Sequence, residues 1–104
     1  MFLSSNVYAG FAAELEISRV RVHTSSVVLF GTTSQPVGTC NNWGEYFKFD
    51  QTTPVGQSLL STLLTAKASG KPLTVWYESS SAVGTDHTNG CSNTTTAVVT
   101  GLAF

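Results

Sequence analysis

A mainly β protein with one helix is what this chain predicts, and three observations carry that expectation. Short apolar runs recur at 15–22, 27–30, 46–49, 73–77 and 97–102; a single leucine-striped segment at 54–69 repeats like a helix; and Gly, Pro, Ser, Thr and Asn fill the gaps. The helix falls after the third strand. Five strands with one helix in that place follow the order of an OB-fold-like five-stranded Greek-key β-barrel, with the helix between strands 3 and 4. Such barrels bind oligonucleotides or oligosaccharides on one face, so binding is the class of function to expect, although a fold by itself assigns none.

The first strand carries a slip. Leu15 and Ile17 alternate, then Val20 and Val22, so the period of two breaks near Ser18 and Arg19. One extra residue there makes a β-bulge, which bends the strand at a barrel corner. Thr24, Ser25 and Ser26 supply a turn into the second strand, 27–30. Residues 31–42 read as a loop, with Gly31, Pro36, Gly38 and the pair Asn41 and Asn42; it carries Cys40 and ends at Trp43. Tyr46, Phe47 and Phe49 mark an aromatic third strand in which Lys48 is expected to face solvent.

Thr53 before Pro54 is a helix start with a mechanism, because the hydroxyl caps an orphan amide and proline at the first position loses no hydrogen bond. Leu59, Leu60, Leu63, Leu64 and the stem of Lys67 then share one side. Gly70 and Pro72 stop the helix. Its leucine stripe is expected to meet the core or a neighbouring subunit. In the fourth strand Leu73, Val75 and Tyr77 share one face, and Thr74 and Trp76 the other. A long loop, 79–95, holds Asp86, His87, Asn89 and Cys91 before the last strand.

With 104 residues, the chain is expected to form one domain, 1–104, with residues 1–12 as a flexible or artificially added N-terminal segment. Only 11% of residues are charged, against about 25% in an average domain, and the formal net charge is -1. Phosphate binding needs clustered Lys and Arg, and only Arg19 and Arg21 are close neighbours here, so nucleic acid is not an expected partner. No run approaches the roughly 20 apolar residues of a membrane span, and membrane insertion is not expected.

Cys40 and Cys91 flank the helix. In an exported chain they read as one disulfide, which in the chain-entropy model stabilises a closed loop of about 50 residues by roughly 4 kcal/mol. The other readings are two buried thiols, or a zinc site completed by His23 and His87, although closely paired ligands are missing. The pair favours a secreted or periplasmic location with a signal peptide already removed.

Trp76 reads either as a platform for the C–H face of a sugar or as an aromatic between subunits. Trp43, with Asn41, Asn42 and Glu45 beside it, is a second platform with amide partners, or a lid over the barrel end. Asp86, His87 and Asn89 are further hydrogen-bonding candidates, or ordinary solvated loop residues. No pair of carboxylates and no Ser-His-Asp set is placed at a common cleft, so no catalysis, cofactor or resident metal is expected.

Two stretches carry a resemblance. Ser61-Thr62-Leu63-Leu64-Thr65-Ala66-Lys67-Ala68-Ser69-Gly70-Lys71 is similar to the end of the helix in subtilase-type toxin subunits, and Leu73-Thr74-Val75-Trp76 resembles the strand bearing the sugar-stacking tryptophan of cholera-type subunits. The chain thus resembles the B subunits of the five-fold bacterial AB toxins. The resemblance implies an OB-fold protomer, a homopentameric ring closed by strand pairing, helices lining a pore, recognition of cell-surface glycans and a possible A-type subunit. Only Trp76 carries over as a sugar-contacting residue, and the cysteine placement departs from the cholera pattern. The leading expectation is a secreted, non-enzymatic glycan-binding B-subunit-like protein; the alternative is a small exported OB-fold protein that binds a protein partner and no sugar.

Overall fold

The computed structural model describes residues 9–104. It consists of a six-stranded mixed sheet and one helix: β1 (Ala9–Leu15), β2 (Ile17–Val22), β3 (Val27–Thr32), β4 (Phe47–Asp50), α1 (Pro54–Ser69), β5 (Leu73–Glu78) and β6 (Ala97–Ala103). The strand order is β1-β5-β6-β4-β3-β2. All neighbours are antiparallel except β4 and β6, which run parallel through Phe47 opposite Ala97 and Lys48 opposite Val98.

Six strands replace the five expected, and the added one is β1. Its sequence, Ala-Gly-Phe-Ala-Ala-Glu-Leu, is poor in the β-branched residues that mark a strand. Tertiary pairing overrides that weak propensity: Phe11 lies opposite Trp76 and Ala12 opposite Val75 before the register shifts towards Leu15 and Leu73. Only Glu16 separates β1 from β2, yet these two strands stand at opposite ends of the strand order. The strand formed by Ala9–Leu15 overlaps the 1–12 segment expected to be flexible; the rest of that segment, residues 1–8, lies outside the described residues.

The slip near Ser18 is a bulge. Ile17 pairs with Thr32 and Arg19 with Gly31, so Ser18 is the extra residue. Beyond it the alternation turns Val20 towards the core cluster and leaves Arg19 and Arg21 side by side on the other face.

The helix is capped as its sequence demands. Thr53 Oγ1 accepts from the Gly56 amide at 2.8 Å, Pro54 opens the first turn, and Gly70 closes the last with φ 72° and its amide on Ala66 O at 2.9 Å. α1 packs against β2 and β6. Leu63 and Ala66 are buried in that contact, while Leu64 is exposed, so the stripe is narrower than four leucines. The core gathers Leu15, Ile17, Val28, Phe30, Phe47, Phe49, Leu73, Val75, Tyr77, Ala97 and Val99. The Phe30 and Phe47 rings stack at 5.0 Å, and Tyr77 meets Phe47 edge-on at 5.2 Å. Lys48 lies on the face opposite the buried Phe47 and Phe49 and is half-buried there: its ammonium donates to Thr94 O, and burial lowers its pKa.

Cys40 and Cys91 form a disulfide with their Cα atoms 5.8 Å apart, which overturns the free-thiol and zinc readings. The bond ties the loop after β3 to the loop after β5.

Candidate functional site

The two tied loops and one face of β2 enclose an open cleft of about 540 Å³. Arg21 reaches from β2 across its floor. Its guanidinium makes a bidentate pair with the buried Glu45 carboxylate, Nε to Oε2 at 2.7 Å and Nη2 to Oε1 at 2.8 Å. Nη2 also donates to Asn93 Oδ1 at 2.7 Å. The Asn42 amide donates to the same Asn93 oxygen at 2.9 Å and lies 3.4 Å from Glu45 Oε1. Arg19 completes the group with Nη2 at 3.4 Å from Glu45 Oε2. Hydrogen bonding to Glu45 raises the Arg21 pKa above its ordinary value, so the guanidinium stays charged throughout the accessible pH range.

The charges do not cancel. Two guanidinium groups share one carboxylate, which leaves this trio one positive charge in surplus. Glu45 accepts from Arg21 through both of its oxygens, so it is engaged in holding the floor. Asn93 Oδ1 likewise accepts twice, whereas Arg19 and Arg21 carry more N–H groups than these bonds use. The cleft therefore offers mainly donors.

One wall is aromatic. Trp43, 67% exposed, stacks on His87 with ring centroids 3.6 Å apart and planes 25° from parallel. Trp43 comes from the loop after β3 and His87 from the loop after β5, so the wall exists only while the two loops are held together. Local bonds fix each loop. Asn41 Oδ1 accepts from the Gly44 amide at 2.7 Å, and Arg19 Nη1 donates to Trp43 O at 3.1 Å. Asn89 Oδ1 accepts from the amides of Thr85 and Asp86 at 2.9 and 2.8 Å. Asp86 Oδ1 accepts from the Thr88 hydroxyl and amide at 2.6 and 3.0 Å, and these bonds, the hydroxyl's foremost, hold the carboxyl below its usual pKa. The Asn41 amide then joins the loops through Thr85 O at 2.9 Å.

Of the candidates read from sequence, Asn42, Trp43 and His87 line this cleft. Asn41, Asp86 and Asn89 stand behind it as loop supports. Trp76 is elsewhere: it lies on the outer face of β5, 6.4 Å from the Phe11 ring and over Gly101. Sequence reading missed Arg19, Arg21, Ser92 and Asn93 as lining residues. The spacing of Arg19 and Arg21 held a signal, because two of only five cations fall two apart in a strand and so share a face. Asn93 gave none, since long-range contacts, the Cys40–Cys91 disulfide and the bond from Arg21 among them, bring it to Asn42.

No family model matches this chain, and no curated protein and no solved structure matches it.

Proposed function

We propose that the chain is a non-enzymatic binding domain whose ligand is a glycan held in the Trp43 cleft. The observation that carries this reading is the exposed indole of Trp43 beside a rigid network of guanidinium and amide groups. A sugar ring offers an apolar C–H face to an aromatic plane and hydroxyl oxygens to planar donors, and both demands are met within one cleft. The surplus positive charge favours a glycan bearing an acidic substituent.

The strand order supports an OB-type barrel. If β1 and β2 are two halves of one bent strand, the order becomes a closed five-stranded circuit with a parallel pair between the third and fifth strands. The disulfide supports export to an oxidising compartment, secreted or periplasmic. Among the described residues no helix is long and apolar enough to cross a membrane.

A shallow cleft binds one sugar weakly, and a homopentameric ring would present five on one molecule and gain avidity without new contacts. The exposed shelf of Phe11 and Trp76 supports such assembly, since a neighbouring copy would cover it. The same shelf favours the second reading, a protein partner, if the chain proves monomeric. An A-type subunit belongs to the B-subunit-like reading.

The test is retention on an array of printed neutral and acidic glycans, with Trp43→Ala as the control. Binding by the wild type that is lost in the variant supports the proposal; absence of retention at high protein concentration overturns it. Native mass by light scattering, near five times 11.0 kDa or near 11.0 kDa itself, separates the ring from the monomer.

A further inference from the structure

The turn that presents Trp43 is built against its own local preference. Asn42 and Glu45 exchange backbone hydrogen bonds of 2.9 and 3.0 Å, which makes Trp43 and Gly44 the central pair of a two-residue hairpin loop. Both have positive φ, 55° for Trp43 and 86° for Gly44, the I′ form of that loop. This form selects Asn, Asp or Gly at its first central position and Gly at its second. Gly44 complies and Trp43 does not. A bulky side chain with φ in the left-handed region is a rare and unfavourable choice, tolerated where the surroundings over-determine it.

The surroundings do over-determine it. Arg19 holds the Trp43 carbonyl, Asn41 holds the Gly44 amide, and Gly31 lies so close beneath that a Cβ there would stand 1.8 Å from Gly44 O. All three act on the backbone. None buries the indole, which stays 67% exposed, so core packing does not offset the unfavourable conformation. With the His87 imidazole on one face of the indole, that exposure leaves the other face open to solvent. A left-handed tryptophan with a clamped backbone and an open ring face is a local conflict of the kind that marks a contact surface.

Resting on the glycan reading of the cleft, we infer that Trp43 is its specificity-determining residue, kept in a disfavoured conformation because only that position stands an indole over the donor network. The ligand class this selects is a pyranose with one uninterrupted C–H face, seated on the indole with its acceptor-rich edge towards Arg19, Arg21 and Asn93.

Three variants test this: Trp43→Asn, Trp43→Gly and Trp43→Phe, each measured for thermal midpoint and for retention on the printed glycans. Asn and Gly suit the I′ position, so their Tm is expected to rise by about 4 °C, while retention falls at least about tenfold. Phe keeps both the ring and the backbone conflict, so its Tm stays near that of the wild type and its retention survives in weakened form. A lower Tm for both Asn and Gly overturns the inference, because the indole would then be stabilising the turn through His87. A higher Tm with unchanged retention also overturns it, and shows that any glycan the protein retains does not rest on the indole. No retention by the wild type removes the glycan reading and this inference with it.

Discussion

Trp43 and Trp76 are the same side chain in two surroundings. Both are exposed, at 67% and 43%, and both stack on another ring. Trp43 stands on a left-handed turn above Arg19, Arg21, Asn42 and Asn93. Trp76 sits in strand β5 between Phe11 on β1 and Gly101 on β6, next to the register shift between Trp76 and Tyr77, in a neighbourhood made mainly of carbon. An exposed ring among donors suits a small polar ligand with one apolar face. A ring that extends a flat apolar shelf suits a broad partner that removes it from water.

The largest test of this contrast lies beneath Trp43, where the cleft rests on a buried charge and the shelf does not. Glu45→Ala removes the carboxylate that neutralises Arg21 and is expected to destabilise the fold by about 3 kcal/mol. The loss sits at the low end for a broken buried pair because the Arg21 side chain remains 35% exposed and water takes over part of the work. Urea denaturation measures it, and a loss below about 1 kcal/mol would mean that the network is an ornament on the loop. Next in size is Gly31→Ala. The new Cβ overlaps Gly44 O, so the Trp43 turn must lift away from β3, with an expected loss of about 2 kcal/mol and of glycan retention together.

Exchanging the two tryptophans sharpens the comparison directly. Trp76→Ala is expected to leave glycan retention per protomer within about twofold and to shift the native mass towards 11.0 kDa. Its effect on protomer stability should stay near 1 kcal/mol, the worth of a half-exposed aromatic pair. Retention lost with Trp76→Ala and kept with Trp43→Ala would reverse the two assignments.

These regions also differ in how much of them could be read from the chain. The core strands were legible because burial on one face forces alternation: Leu73, Val75 and Tyr77 lie inward and Trp76 outward as their spacing requires. Thr53, Pro54 and Gly70 fixed the helix ends for equally local reasons. β1 was not legible, since Ala9–Leu15 becomes a strand only through its pairing with β5. The cleft was legible in pieces. Trp43 and His87 each drew attention, but their contact depends on a disulfide and on the backbone bond from Asn41 to Thr85, and neither leaves a periodic trace. Glu45 reads only as a neighbour of Trp43, and its almost complete burial opposite Arg21 leaves no trace in the sequence.

The smallest effect expected is one of acidity, and it separates the two rings without any substitution. Asp86 is held below its ordinary carboxyl pKa by Thr88, so the folded loop favours the ionised form more than the unfolded chain does. Whatever stability this adds is fully present above the unfolded value of 3.8 and is lost as pH falls through the depressed folded value. Protonation weakens the acceptor that orders Thr88, one residue from His87. As pH falls below 3.8 and through that depressed value, the Trp43 and His87 wall should therefore loosen before the shelf does. Asp86→Asn, which weakens the same acceptor at neutral pH, should reproduce the change. In an NMR titration the Thr88 amide and the Trp43 indole N–H would move together while the Trp76 indole N–H stays in place. Concerted movement of both indoles would mean that the loops and the sheet respond to acid as one unit.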